Sequence, residues 1–240
     1  MQNKKKIFKD FFSHVLKYKK IPPIDFHLHT NWTDGSNTVR EVFKKCEKVG
    51  LQKILYSEHS RKSSGKWFKK FSQQVRSIKN GNCKVYVGTE VKILDFKGNI
   101  DINNQNLKLC DYIMASVHRF PGEKNIKKNN IFFKKKNKDV INTELKLIIA
   151  ACKNKNVDIL GHPFGMAIKR FKIMPQMKFF EEIIINCKKY NKVFEVNFHY
   201  HQKIFKKLIK LCIKHNCLMS FGSNSHNISK IKNLSKVTIS

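Results

Sequence analysis

The chain has 240 residues, 41% of them hydrophobic and nineteen of them phenylalanine, which suits one compact domain and is too apolar for a disordered chain. No apolar run is long enough for a membrane-spanning helix, and the first twenty residues are too charged for a secretory signal. The 49 basic against 17 acidic residues, a net charge of +32, favour anionic partners, yet only five are arginines (Arg40, Arg61, Arg76, Arg119, Arg170) and the lysines run through the whole chain, a compositional bias rather than a concentrated nucleic-acid surface.

Ile7, Phe8, Phe11, Phe12, Val15 and Leu16 recur at helical spacing among lysines. They predict an amphipathic basic helix over 5–19 within an N-terminal extension (1–22) ahead of the main domain (23–240). Packing against that domain is favoured over lying on an anionic membrane, and Pro22-Pro23 stop the helix. A strand follows at 24–29, then a helix at 38–50 opened by a Ser/Asn/Thr cluster and closed by Gly50. Next come a strand at 51–57, a helix at 66–80, and a strand at 83–94 that continues into a hairpin around Lys97-Gly98. Strand 111–117 leads into a polar, low-complexity loop at 121–137. Helix 140–154, strand 157–162, helix 179–190, strand 192–198, helix 204–216 and strand 217–224 complete the alternation. This is the pattern of a parallel α/β domain, and about seven units in some 220 residues suit a closed barrel better than an open sheet. The seven cysteines form no C-x-x-C pair and read as reduced, buried thiols of a cytoplasmic protein.

The chemistry-bearing residues fall at one place in each unit, the carboxyl end of a strand. His27 and His29 close the first, with Asp34 in its loop; Glu58 and His59 close the second, Glu90 the third and His118 the fourth. His162 follows the next strand, and Asn224 and His226 follow the last. In a parallel barrel these ends share one face, where active sites are built. His27-Leu28-His29 puts two imidazoles on the same side of an extended strand, because side chains alternate with period two. Imidazoles with carboxylates suit zinc, manganese or iron, and so many donors point to a multinuclear centre. Such a centre activates water against a phosphate ester.

In order and spacing, D-F-H-L-H-T (25–30), N-W-T-D-G (31–35), S-E-H-S (57–60), G-T-E (88–90), S-V-H-R (116–119), G-H-P (161–163) and F-G-S-N-S-H (221–226) resemble the PHP family, named for polymerase and histidinol phosphatase. The resemblance spans about residues 23–227. It implies a distorted (β/α)7 barrel with up to three metals at the strand ends, acting on phosphoesters. It implies His27, His29, Glu90 and Asn224 around a first metal, with Glu90 bridging to a second held by His118 and His162. Asp34, His59 and His226 would hold the third. Two positions depart from the family pattern: Asn224 stands where aspartate is usual, removing a negative charge, and Glu58 replaces an aspartate, in a place to orient an imidazole.

The favoured reading is a phosphatase on a small phosphorylated metabolite, histidinol phosphate being the best-known such family substrate. A nuclease or phosphodiesterase on nucleic acid is the first alternative. The second is a degenerate barrel kept for interaction, suggested by Asn224 and by the fourteen residues after His226, a poor match to a full closing helix. Arg61, Arg119 and Arg170, in loops after strand ends, are candidates to fork onto the substrate phosphate. His199 and His201 are read as lining a pocket rather than as ligands, His14 and His215 as surface residues, and Trp32 and Trp67 as either pocket wall or ordinary packing.

Overall fold

Strands buried on both faces need helices on the outside, and this chain supplies both patterns. A computed structural model describes residues 2–79, 81–122 and 137–239. Every residue of β1 (Ile24–Leu28), β4 (Tyr112–Ser116), β6 (Val193–Asn197) and β7 (Met219–Gly222) is buried, as expected of parallel strands covered by helices. With β2 (Lys53–Glu58), β3 (Lys84–Lys92) and β5 (Ile159–Leu160) they form one seven-stranded parallel sheet in sequence order. The ends approach closure: Leu28 bridges Ser225 in parallel, and the His29 amide donates to the Ser225 carbonyl at 3.0 Å. The result is a distorted (β/α)7 barrel. Its weakest seam is β5, only two residues long, beyond which His162 (φ 27°) and Phe164 (φ 64°) take left-handed backbone.

The outer helices bury one stripe each. In α2 (Val39–Lys48) this is Val39, Val42, Phe43 and Cys46; in α3 (Trp67–Arg76) it is Phe68, Phe71, Ser72 and Val75. Thr38 and Glu41 form a reciprocal capping box at the start of α2. The chain stops α2, α7 (Met177–Lys189) and α8 (Phe205–Lys214) in the same way, through a residue in the left-handed region. Gly50 (φ 78°), Asn191 (φ 53°) and Asn216 (φ 48°) occupy that position. The next amide then returns to the carbonyl of Cys46, Cys187 or Cys212 at 2.7–2.9 Å, satisfying the helix end.

Helix α1 (Gln2–Tyr18) lies across the amino-terminal ends of the strands. Phe8 and Phe11 meet Phe26 of β1 edge-on at 5.8 and 5.0 Å, and Phe8 meets Tyr112 of β4 at 5.1 Å. The helix therefore packs into the core, as its spacing predicts. The C-terminal segment runs from a 3-10 turn (Ile228–Lys230) back to α1, where Thr238 bridges Lys20 and Ile239 donates to the Lys19 carbonyl. Ile231 and Ile239 are buried, so this strap packs onto the barrel. Two elements are not anticipated by periodicity: α4 (Asn104–Leu109) and α6 (Gly165–Lys169), each too short to show an amphipathic repeat. The fifth helix, α5, spans Asn137–Cys152. The expected hairpin at Lys97-Gly98 is present as an Ile93–Ile100 antiparallel bridge. Most of the expected loop at 121–137 lies outside the described residues. Among the described residues no helix is long and apolar enough to cross a membrane.

Because Phe11 is fully enclosed between α1 and Phe26, Phe11→Ala is expected to cost about 3 kcal/mol of stability, at the low end for a buried Phe truncation. Urea unfolding measures this, and an unchanged midpoint would mean that α1 is not part of the cooperative unit.

Candidate metal centre

Alternation along the strands brings polar side chains to the carboxyl rim, and there they converge on Glu90 of β3. Its Oε1 lies 2.6 Å from His162 Nε2 and 3.1 Å from His118 Nε2. Its Oε2 lies 3.3 Å from His27 Nε2, 3.4 Å from His59 Nδ1 and 3.6 Å from His29 Nε2. Five imidazoles from four strand ends thus surround one buried carboxylate. Asp34, in the loop after β1, gathers a second set: Oδ2 is 3.2 Å from His226 Nε2 and 3.4 Å from His59 Nε2, and Oδ1 is 3.7 Å from His29 Nδ1.

Three groups have ligand atoms within 4.8 Å of one another: His29, Asp34, His59 and His226; His27, Glu90 and His162; His59, Glu90 and His118. His59 and Glu90 each belong to two of them, so the groups are contiguous. The structure therefore brings together Asp34, His59 and His226, and places both His118 and His162 on Glu90. Asn224 sits beside them with φ 53°; its carbonyl oxygen accepts from His226 Nδ1 at 3.0 Å. The depth is graded: His27, His29, Glu90 and His162 are buried, whereas the side chains of His59, His118, His226 and Asp34 are 26–51% exposed.

The donor set fits divalent cations. His27 Nδ1 donates to Glu195 Oε1 at 2.8 Å, which turns its Nε2 toward His29 Nε2 at 3.1 Å. His29 Nδ1 and the side-chain oxygen of Asn224 are buried with no hydrogen-bond partner. Buried polar atoms left without a partner beside a carboxylate are what a bound cation would satisfy. The ionisation states are mixed: against the effect of burial, Glu195 and Glu90 raise His27 well above the usual imidazole range, and Asp34 and Glu90 raise His59. Burial favours the neutral form of Glu90, but His118, His27 and His162 outweigh it and hold the carboxyl well below its usual range. Burial, reinforced by His27 and His59, pushes His29 well below the usual imidazole range, into the neutral form that ligates metals. Burial likewise lowers His118. Asp34 is held well below the carboxylate range by His226 and His59, against the effect of its burial.

Behind the ligand candidates stands Glu195 of β6, which the sequence reading passes over. It is fully buried; besides His27 Nδ1 it accepts the His162 amide (2.5 Å, Oε2) and the Asn197 side-chain amide (3.0 Å, Oε1). It fixes the orientation of His27 and the turn that carries His162. The signal was a lone acid inside the apolar run Val-Phe-Glu-Val. Gly222 of β7 makes room for it: a Cβ there would fall 2.3 Å from Glu195 Oε1 and 2.5 Å from the His27 Cβ. Asp25, pushed up to about 6 by burial, accepts the His27 amide and both the amide and hydroxyl of Ser223, tying β1 to β7. Glu58 touches no imidazole through a hydrogen bond. It accepts the Thr30 amide and the Thr33 hydroxyl, so it pins the loop that bears Asp34, and burial raises it to about 7.

Above the carboxylates opens a cavity of about 400 Å³, walled on its basic side by Arg61, Lys92, Arg119 and Lys169. Arg170 ends α6 beside Met166 and does not line it; its neighbour Lys169 does. Tyr200, within the second H-x-H stretch that the sequence places at a pocket, lines the cavity with its ring 4.5 Å from that of His162. Of the second H-x-H, His201 is buried, its Nε2 donating to the Pro163 carbonyl at 2.9 Å and its Nδ1 accepting the Asn197 amide at 3.1 Å, a structural role. Trp32 and Trp67 stack on each other at 6.1 Å against Phe71 and stay out of the cavity. His215 pairs with Glu181 on α7, and the His14 ring lies tilted against Tyr18 of its own helix at 4.7 Å.

The sequence and the fold are similar to those of known proteins. The chain is 31% identical over 179 residues to a protein of Thermoanaerobacter sp. (strain X514) named a probable phosphatase, covering 72% of this chain and 64% of that one. It is 24% identical over 214 residues to a probable phosphatase of Caldicellulosiruptor bescii, covering 85% and 79% respectively. Its fold matches the crystal structure of histidinol phosphate phosphatase from Lactococcus lactis, complexed with zinc, L-histidinol and phosphate, with a TM-score of 0.65 at 18% identity over 88% of this chain and 87% of that one. The PHP domain model matches residues 25–199, which include Glu90 and its five imidazoles, and the chain belongs to that family.

Proposed function

We propose that this chain is a metal-dependent phosphatase that hydrolyses a small phosphorylated metabolite. The observation that carries the reading is the single buried carboxylate of Glu90 ringed by five imidazoles beneath a basic cavity. The family and the phosphatases it resembles support it from outside. His27, His29, Glu90 and Asn224, then Glu90 with His118 and His162, then Asp34, His59 and His226 would hold two or three divalent ions, of zinc, manganese or iron. Ions held there supply Lewis acidity and a nucleophilic water at neutral pH.

The chain's own residues do the rest. Arg61 and Arg119 present planar forks to the oxygens of a phosphate monoester, and Lys169 adds a third cation where Arg170 was the sequence candidate. Together they offset the dianion's charge and turn the ester bond toward the Glu90 end of the cavity. Glu195 fixes His27 so that Nε2, not Nδ1, faces the centre.

Protein stripped of metal and reloaded with Mn²⁺ or Zn²⁺ is expected to hydrolyse 4-nitrophenyl phosphate, with loss of turnover on chelation. His118→Ala should lower kcat/KM by about a hundredfold or more. Turnover indifferent to chelator or to that substitution would sink the proposal, and release of mononucleotides from DNA with steep salt dependence would favour the nuclease alternative. Glu195→Gln keeps the volume but removes the charge that orients His27, so metal affinity should fall about 10- to 100-fold with little change in secondary structure. Equilibrium dialysis with circular dichroism separates that outcome from unfolding. Asn224→Asp should act in the opposite direction, adding an anionic oxygen where an uncharged one lies buried and raising metal affinity in the same assay.

A further inference from the structure

A second, larger cavity of about 940 Å³ adjoins the basic one and shares Asp34, Lys169, Asn224 and His226 with it. Its floor is apolar: Ile21, Phe198, Phe205, Leu234 and Val237. Phe198 is fixed between Phe221, stacked at 6.2 Å, and Phe205, edge-on at 5.9 Å. Much of the outer wall is the C-terminal strap, which contributes Lys230 and Lys232 as well as Leu234 and Val237. The strap therefore builds a chamber beside the metal centre.

The charges in this chamber are one-sided. Lys169, Lys230 and Lys232 line it, and the single carboxylate on its wall is Asp34, already engaged by His59 and His226. His199, on the same wall, registers the field: burial first, and then Lys169 and Lys230, hold its imidazole below the usual range. An ammonium group entering here would meet three cations and no free counter-charge, whereas an anion would meet complementary ones. The floor offers a flat hydrophobic body the ring faces and aliphatic side chains it needs.

Resting on the phosphatase reading, we propose that this chamber receives the leaving group of the substrate and selects phosphate monoesters whose alcohol carries an aromatic or apolar body and a second anionic group. Lys230 and Lys232 are its specificity determinants, and phosphates of cationic amino alcohols such as histidinol are disfavoured.

Calorimetric titration of the metal-loaded full chain tests this with two non-hydrolysable analogues that differ in the sign of one substituent, 4-carboxyphenylphosphonate and 4-(aminomethyl)phenylphosphonate. The carboxylate should bind about fivefold or more tightly than the amine, the scale of one or two partly exposed ion pairs. Phosphonoacetate, with both charges but no ring, should bind about tenfold more weakly than the carboxyphenyl compound. Lys230 and Lys232 are exposed, so the Lys230→Ala/Lys232→Ala double variant should fold; it should erase the preference and leave the affinity for inorganic phosphate unchanged. Equal affinities, tighter binding of the amine, no binding of either phosphonate, or a preference that survives in the double variant would each overturn the inference. Hydrolysis of 4-nitrophenyl phosphate by the same preparation keeps the two readings apart. An active phosphatase without charge preference loses only this inference, whereas a charge preference without hydrolysis removes the phosphatase reading and the leaving-group role with it, leaving a chamber that binds anionic aromatic ligands.

Discussion

Everything at the functional end of this barrel is arranged around one unfavourable act, the burial of the Glu90 carboxylate in its ionised form. An isolated charge at such a site would protonate instead. Five imidazole nitrogens within 3.6 Å keep it ionised. The imidazoles are themselves costly: burial and mutual repulsion drive His29 to its neutral form, and its Nδ1 is left with no partner. Protons shared between the imidazoles and Glu90 satisfy the carboxylate as ion pairs, and a divalent ion would replace those protons and turn the same atoms into ligands. The fold tolerates this buried cluster because the opposite end of the barrel is bound tightly by Phe8, Phe11 and Phe26.

That division of labour explains how a lysine-rich chain keeps a working site. Of its 17 acidic residues, Asp25, Glu58, Glu90, Glu144 and Glu195 are buried, and all but Glu90 brace the segments that carry the imidazoles. Asp25 joins β1 to β7 through Ser223, and Glu58 holds the Asp34 loop. Glu144 of α5 accepts the amides of Met166 and Ala167 and so anchors the turn that follows His162; burial pushes it up to about 8. Of the lysines, by contrast, only Lys192 is buried among the described residues, spanning to the Asn154 and Val157 carbonyls. The basic bias has accumulated on the surface, where it costs little.

The ligand candidates were legible in the sequence because a parallel barrel repeats one geometry. Wherever an apolar run ends in His or Glu, that residue lands on the same rim, and His27, His29, His59, Glu90, His118, His162 and His226 all obey this. What escaped notice depends on contacts between distant segments. Glu195 lies inside a strand and resembles a stray acid until β1 and β7 are packed beside it at Gly222. Lys169 and Arg170 are adjacent in a loop by sequence; only the five-residue α6 turns one toward the cavity and the other toward Met166. The strap has no periodicity to betray it, because its order derives from Asn233 on the Gly50 carbonyl and from the bridge to Lys20.

Asn224 acquires its meaning from the same electrostatics. Its backbone is left-handed (φ 53°), a region that asparagine and aspartate enter more readily than other residues with a side chain, so either fits the turn. The choice therefore concerns charge alone. With asparagine the centre retains the carbonyl-type donor but carries one fewer negative charge against its cations, while Arg61, Arg119 and Lys169 stand nearby. A site so balanced would be more positive toward an incoming phosphate and would hold divalent ions less firmly. Both consequences favour an anionic ligand, the same direction in which Lys230 and Lys232 bias the adjoining chamber.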